Sequence, residues 1–154
     1  MRLVIAVFLT MLVGGGAAQA FDEMDLKKLK VLVGCVGCDL SEANLPKERL
    51  KGADLRGANL KRANFYESNL SGANLSGADL TNANLFNANL TGANLTGANL
   101  IGANLTGADL EEANLEWANL SGTDLTGAEL EYAKIKGAKF CKTKTPWGLD
   151  NSGC

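Results

Sequence analysis

The chain has 154 residues with 18 Gly, 2 Pro and no His, and its 15 Lys and Arg against 17 Asp and Glu give a formal charge of -2. Without histidine, Ser-His-Asp and Cys-His catalysis, imidazole metal ligation and imidazole pH switches are excluded, and so balanced a charge argues against an electrostatic grip on nucleic acid. Aromatic residues are only 6% of the chain, thin for an ordinary globular core, while Gly, Ala, Asn and Leu are in excess, a bias that points to repetition.

Residues 1–20 read as a secretory signal. Arg2 precedes an apolar run from Leu3 to Val13, a Gly14-Gly15-Gly16 break follows, and Ala18-Gln19-Ala20 offers the small residues for cleavage before Phe21. The run falls well short of the roughly 20 residues that span a bilayer, which sets a membrane anchor aside. No cysteine sits directly after it to take a lipid. The mature protein is therefore expected to be soluble, exported and free of the membrane, in a compartment where Cys35, Cys38, Cys141 and Cys154 can form disulfides.

Residues 21–37 form an N-terminal capping segment. From Asp22 to Val33 the pattern is helical, with Leu26, Leu29 and Val33 on one face and Lys27, Lys28 and Lys30 left to solvent. A membrane-surface helix has the same pattern, but the repeat array that follows needs its open end covered, so a cap is the preferred reading. Cys35-Val36-Gly37-Cys38 has thioredoxin-like spacing without the βαβ context that such chemistry requires.

From Leu40 to Phe140 every fifth residue is large and apolar: Leu throughout, except Phe65, Ile135 and Phe140. Two residues earlier stands Ala in 17 of 21 cases, the departures being Cys38, Glu48, Ser68 and Thr123, with Asn or Asp usually between. Five helical steps of about 100° would scatter these leucines around a helix axis. An odd period would throw them alternately onto the two faces of a plain strand. A chain that turns a corner in every pentapeptide keeps Ala and Leu together on the inside and Asn on the outside.

This A-[N/D]-L-x-x unit, as in Ala73-Asn74-Leu75-Ser76-Gly77 and Ala93-Asn94-Leu95-Thr96-Gly97, closely resembles the pentapeptide-repeat family from Cys38 to about Lys142. The resemblance implies an all-β solenoid, a right-handed quadrilateral β-helix over residues 38–142, with four pentapeptides to a coil and a C-terminal cap at 143–154. The 21 repeats then make a little over five coils, about 25 Å at the roughly 4.8 Å spacing of paired strands. Glu48 falls at an inward position, where a lone carboxylate is costly, so a bulge or irregular corner is expected there.

With that stack between them, Cys38 and Cys141 are far beyond the roughly 7 Å limit for bridged Cα atoms. The pairs left are Cys141 with Cys154, and Cys35 with Cys38. The tail from Phe140 to Cys154 resembles the ending of many exported family members, in which a bridge closes the tail over the last coil; on that reading Trp147 or Leu149 covers the core.

Twenty-residue spacing stacks residues in columns on the outside. Tyr66 and Phe86 fall one coil apart on one face and form either a partner patch or a pair that stabilises adjacent strands. Trp117 and Tyr132 lie at corners of other faces. The Asn ladder is read as hydrogen bonding along the stack. Asp109, Glu111, Glu112 and Glu116 form an acidic cluster, and Arg56, Lys61 and Arg62 a basic one; neither has metal-loop spacing or acid–base pairing, so no catalytic residue, metal or cofactor is assigned. Broken Thr columns argue against ice binding, and export and low charge argue against the DNA mimicry of gyrase-targeting family members. Signal, short helix, Cys-x-x-Cys-Asp-Leu, repeats and Cys-terminated tail are most similar to exported members of cyanobacteria and plastids. That similarity implies the thylakoid lumen or periplasm, and the chain is expected to be a monomeric, non-enzymatic scaffold there that binds a protein partner.

Overall fold

The computed structural model describes residues 22–154; the expected signal sequence and cleavage site lie outside the described residues. The chain enters through helix α1, Glu23–Leu32. Asp22 caps it, its side chain accepting from the Met24 amide at 2.7 Å, and Glu23 and Asp25 complement the positive end of the helix. Val33 ends it in the left-handed conformation, φ 49°, which costs a β-branched residue about 1–2 kcal/mol. Its side chain is 44% exposed and not, as the helical spacing predicts, turned inward: the reversal that drops the chain into the first coil rotates it out. Leu29 is fully buried and Leu26 packs against the core, so α1 packs against the first coil.

Parallel bridges then join residues twenty apart, from Gly34↔Asp54 to Asp124↔Lys144, in unbroken succession. With a turn in every pentapeptide, four to each bridge interval, the section is quadrilateral. At every fifth residue from Gly37 to Lys142 the backbone takes a positive φ between 51° and 71°. Ten of these corners carry a residue other than glycine, and the stacked coils, on both sides except at the two ends, hold them there against the local preference.

One repeat shows why the consensus is what it is. In Ala93–Gly97 the Ala93 amide closes a turn on the Leu90 carbonyl (2.9 Å), Asn94 donates back to Ala73 (2.9 Å), and Leu95 and Gly97 donate forward to Asn114 (2.7 Å) and Glu116 (2.9 Å). Only the Thr96 amide finds no backbone acceptor, and the Asn94 side-chain oxygen takes it at 3.1 Å. The same bond recurs from Ser41 on Asp39 to Thr126 on Asp124. The outer Asn or Asp thus chiefly caps its own corner, satisfying the one amide per repeat that the stack leaves over. Bonding along the stack, the role expected from sequence, is confined to some rungs, such as Asn64 to Asn44 (2.8 Å) and Asn84 to Asn64 (3.0 Å).

Inside, the Ala and Leu rows from Leu40 to Leu125 form one continuous core, with Phe65 fully buried among them. Each buried Leu contributes about 1.5–3 kcal/mol. Polar residues on the inward Ala row are paired: Ser68, Thr123 and Thr143 donate to the Leu45, Leu100 and Leu120 carbonyls at 2.6, 2.8 and 2.6 Å. The Ser68 hydroxyl also accepts the Glu48 amide (3.2 Å).

No bulge forms at Glu48: the bridge Arg49↔Asn69 keeps register there. Lying in the first coil beside α1, the carboxylate is half-buried and meets Lys30 of that helix at 3.2 Å, so the charge is paired without distorting the corner.

At the far end β1, Thr143–Thr145, continues the stack, and after a turn β2, Gly148–Asp150, pairs back on it antiparallel. This tail covers the Phe140 side of the last coil. It does not plug the core as the resemblance implies: Trp147 and Leu149 are each 66% exposed and Ile135 44%. Held back at Phe140, where the Gly153 amide bonds at 2.6 Å, the tail leaves an apolar cavity of about 400 Å³ bordered by Leu130, Ile135, Phe140 and Trp147.

Candidate functional site

The repeat exposes corners and edges, so any site on the rod is a column of outward residues. The column Pro46, Tyr66, Phe86, Thr106, Thr126 carries the aromatic pair. Tyr66 and Phe86 are brought together: their rings stack at 5.6 Å between centroids and 6° from parallel. Each is half-buried, because one ring hides a face of the other. Their amides are capped by Asn64 and Asn84, both at 3.2 Å, so the backbone that presents the rings is fixed.

The next corner column supplies charge beside the rings. Lys47 lies 3.3 Å from Glu67 and 6.0 Å from the centre of the Tyr66 ring, within reach of a cation–π contact. The Glu67 carboxylate accepts the Tyr66 hydroxyl, raising the Tyr66 pKa above its ordinary value. That bond, with Lys47 second, lowers the pKa of Glu67. An apolar strip one ring wide and two coils long is thus edged by a polar network.

The basic residues seen in the sequence are each tied to a carboxylate: Arg56 to Asp54 at 2.6 Å, Lys61 to Asp79 at 3.2 Å and Arg62 to Glu42 at 3.1 Å. They present no free cationic patch. In the acidic cluster Asp109 is spent on capping Glu111 (3.0 Å) and on accepting from Thr91 (2.8 Å), while Glu111, Glu112 and Glu116 project outward. Trp117 lies over Gly137 of the next coil, where a Cβ would run into its ring, and Tyr132 is exposed. Neither joins the Tyr66–Phe86 column.

The four cysteines form two bridges, Cys35–Cys38 with Cα atoms 5.4 Å apart and Cys141–Cys154 with Cα atoms 4.7 Å apart. The first spans a corner. Cys35 stands at a Leu position and Cys38 at the following Ala position, and the turn between them, closed by the Cys38 amide on the Cys35 carbonyl (3.4 Å), brings residues three apart within bridging range. Sequence reasoning did not pick out Asp25, whose carboxylate lies beside this pair. No local pattern signals it, since Asp25 stands in the first turn of α1 and meets the cysteines only through the docking of that helix.

Pentapeptide repeats, by their family model, match the chain in 8 copies over residues 35–77, 73–111 and 108–144. Among solved structures, the pentapeptide repeat protein Rfr23 of the cyanobacterium Cyanothece 51142 is 41% identical, with 75% of this chain and 92% of that one covered and a TM-score of 0.73. HetL of Nostoc sp. strain PCC 7120, a pentapeptide repeat protein involved in heterocyst differentiation regulation, is 32% identical over 75% of this chain and 73% of its own, with a TM-score of 0.31. A pentapeptide repeat protein from the Arabidopsis thaliana thylakoid lumen is 30% identical over 71% and 62%, TM-score 0.32. No curated protein matches the chain.

Proposed function

The chain belongs to the pentapeptide-repeat family, and we propose that it is a non-enzymatic, monomeric scaffold, exported to a thylakoid lumen or periplasm, whose Tyr66–Phe86 face binds a protein partner. One observation carries this reading: on a rod whose outer positions are mostly Asn, Ser, Thr and charged residues, two aromatic rings stack outward on one column beside an ordered Lys47–Glu67 network. Aromatic side chains are enriched at contact surfaces, and an aromatic centre with a charged edge has the layout of a binding hot spot. The rigid coil presents it without an ordering cost.

Mimicry of DNA by the rod is the weaker alternative, because a duplex carries one charge per about 1.7 Å of axis. Between Ser68 and Ala108 the only charged residue is Asp79, and it is paired with Lys61 at 3.2 Å.

Crosslinking and affinity capture from the lumenal or periplasmic fraction tests the proposal. The intact protein should retain a partner that the double variant Tyr66→Ser, Phe86→Ser, folded by circular dichroism, loses. Equal capture by both would refute it.

A further inference from the structure

Beneath α1, two separate elements bring metal-binding chemistry to one point. The first corner of the coil supplies the sulfurs of Cys35 and Cys38, both buried, and the first turn of α1 supplies the carboxylate of Asp25, whose side chain is 14% exposed. One ligand atom from each lies within 4.8 Å of the other two. A tetrahedral zinc ion with bonds of about 2.3 Å to sulfur and 2.0–2.2 Å to oxygen holds its ligands inside that span.

We propose that Cys35, Cys38 and Asp25 form a site for a thiophilic divalent cation, zinc or cadmium in chemistry, which opens when the Cys35–Cys38 bridge is reduced. The bridge takes two electrons and two protons from a dithiol donor, which becomes a disulfide. The cation then displaces the two thiol protons to solvent, leaving two thiolates bound. Asp25 adds the third ligand and a water completes the tetrahedron, as at zinc sites with three protein ligands.

The surroundings suit this charge. Two thiolates and a carboxylate carry three negative charges, a dication leaves one, and the Lys28 ammonium, now 2.7 Å from the Asp25 carboxylate, offsets it. Lys28 is exposed and can swing aside from the oxygen it holds. The other Asp25 oxygen stays fixed by the Asp39 amide at 3.0 Å, so the carboxylate is already aimed. The cation does something that the bridge does not. Cys35–Cys38 links the first coil only to itself, whereas a metal shared with Asp25 ties the coil to α1.

The test uses the chain carrying Cys141→Ser and Cys154→Ser, so that one cysteine pair remains, reduced with a phosphine that is then removed. Cadmium ion alone is titrated while thiolate-to-cadmium charge-transfer absorption is read. One equivalent should bind the reduced protein and none the oxidised protein. Asp25→Asn should weaken binding by about tenfold or more, since losing even an outer-shell partner costs that much. No absorption in the reduced protein, or an Asp25→Asn titration matching the parent, overturns the site. Because Asp25→Asn also loosens α1, alkylation of the parent provides a second reading: cadmium should protect Cys35 and Cys38 of the reduced protein, and alkylation at an undiminished rate overturns the proposal.

Discussion

Replacing Asn104 by Ala is expected to destabilise the protein by about 1 kcal/mol, and the same change at Asn44 by clearly less, although the two stand in one column, three coils apart. The Asn104 side-chain oxygen accepts the Thr106 amide at 3.1 Å, the one amide of its repeat without a backbone acceptor. A hydrogen bond of this kind has a net worth of about 0.5–1.5 kcal/mol. At Asn44 the equivalent position two residues on is Pro46, which has no N–H to leave unpaired. Only an exposed bond from Asn64 (2.8 Å) is lost there, at the low end of that range, about 0.5 kcal/mol. Urea denaturation followed by circular dichroism measures the difference, and in thermal melts 1 kcal/mol corresponds to about 2–4 °C for a chain of this size. Amide exchange locates it, with Thr106 losing protection in Asn104→Ala. Asn104→Asp should behave as the parent, because Asp109 makes the same bond to Glu111 at 3.0 Å. Equal losses at Asn104 and Asn44, or unchanged exchange at Thr106, would refute the capping account.

The ion pair of Asp124 with Lys144 (2.8 Å) sets a pH dependence. Lys144 first, then Thr126, lowers the Asp124 pKa from 3.8 to about 2, so its stabilisation is complete above about pH 4 and disappears as the pH falls toward 2. Allowing for solvent screening, this amounts to on the order of 1 kcal/mol; denaturation midpoints at pH 5 and 2 should converge between parent and Lys144→Met at the lower pH, and a constant gap would contradict the assignment. Gly137→Ala should cost more than the roughly 1–2 kcal/mol of a left-handed corner, because φ is +71° and the new Cβ meets the Trp117 ring. Adding Trp117→Ala should return only the excess, and a double-mutant cycle with no coupling would discard the contact. Ser68→Ala should change stability by no more than about 0.5 kcal/mol, despite removing one buried and one partly buried bond, since the Glu48 amide can close the turn on Leu45 as amides do at the neighbouring corners; a chemical-denaturation loss above about 2 kcal/mol would show that the turn does not re-form.

The period of five is a chain-level property and is legible without coordinates, because only a turning chain keeps Leu40, Leu45 and their successors on one side. The columns follow from it, and the Tyr66–Phe86 stack with them. What could not be read was set by partners distant in sequence. Glu48 looks misplaced until Lys30 comes down on it from α1. The task of the outer Asn emerges only once four of the five amides in a repeat have been given their acceptors, although Pro46 after Asn44 was a clue. Trp147 and Leu149 have the composition of a plug, but nothing local says that the Gly153–Phe140 bond and the Cys141–Cys154 bridge hold the tail to one side. Asp25 lies far enough from Cys35 in the chain that only the descent of α1 makes them neighbours.

The strict pairing of residues twenty apart turns chain length into an angular setting. Excising five residues between Tyr66 and Phe86 would swing everything downstream through a quarter revolution, carrying Phe86 to an adjacent face. Excising twenty would remove one storey of about 4.8 Å and return each later residue to its own wall. The rod therefore tolerates growth or shortening by whole storeys, and any other change rewrites which residues share a wall.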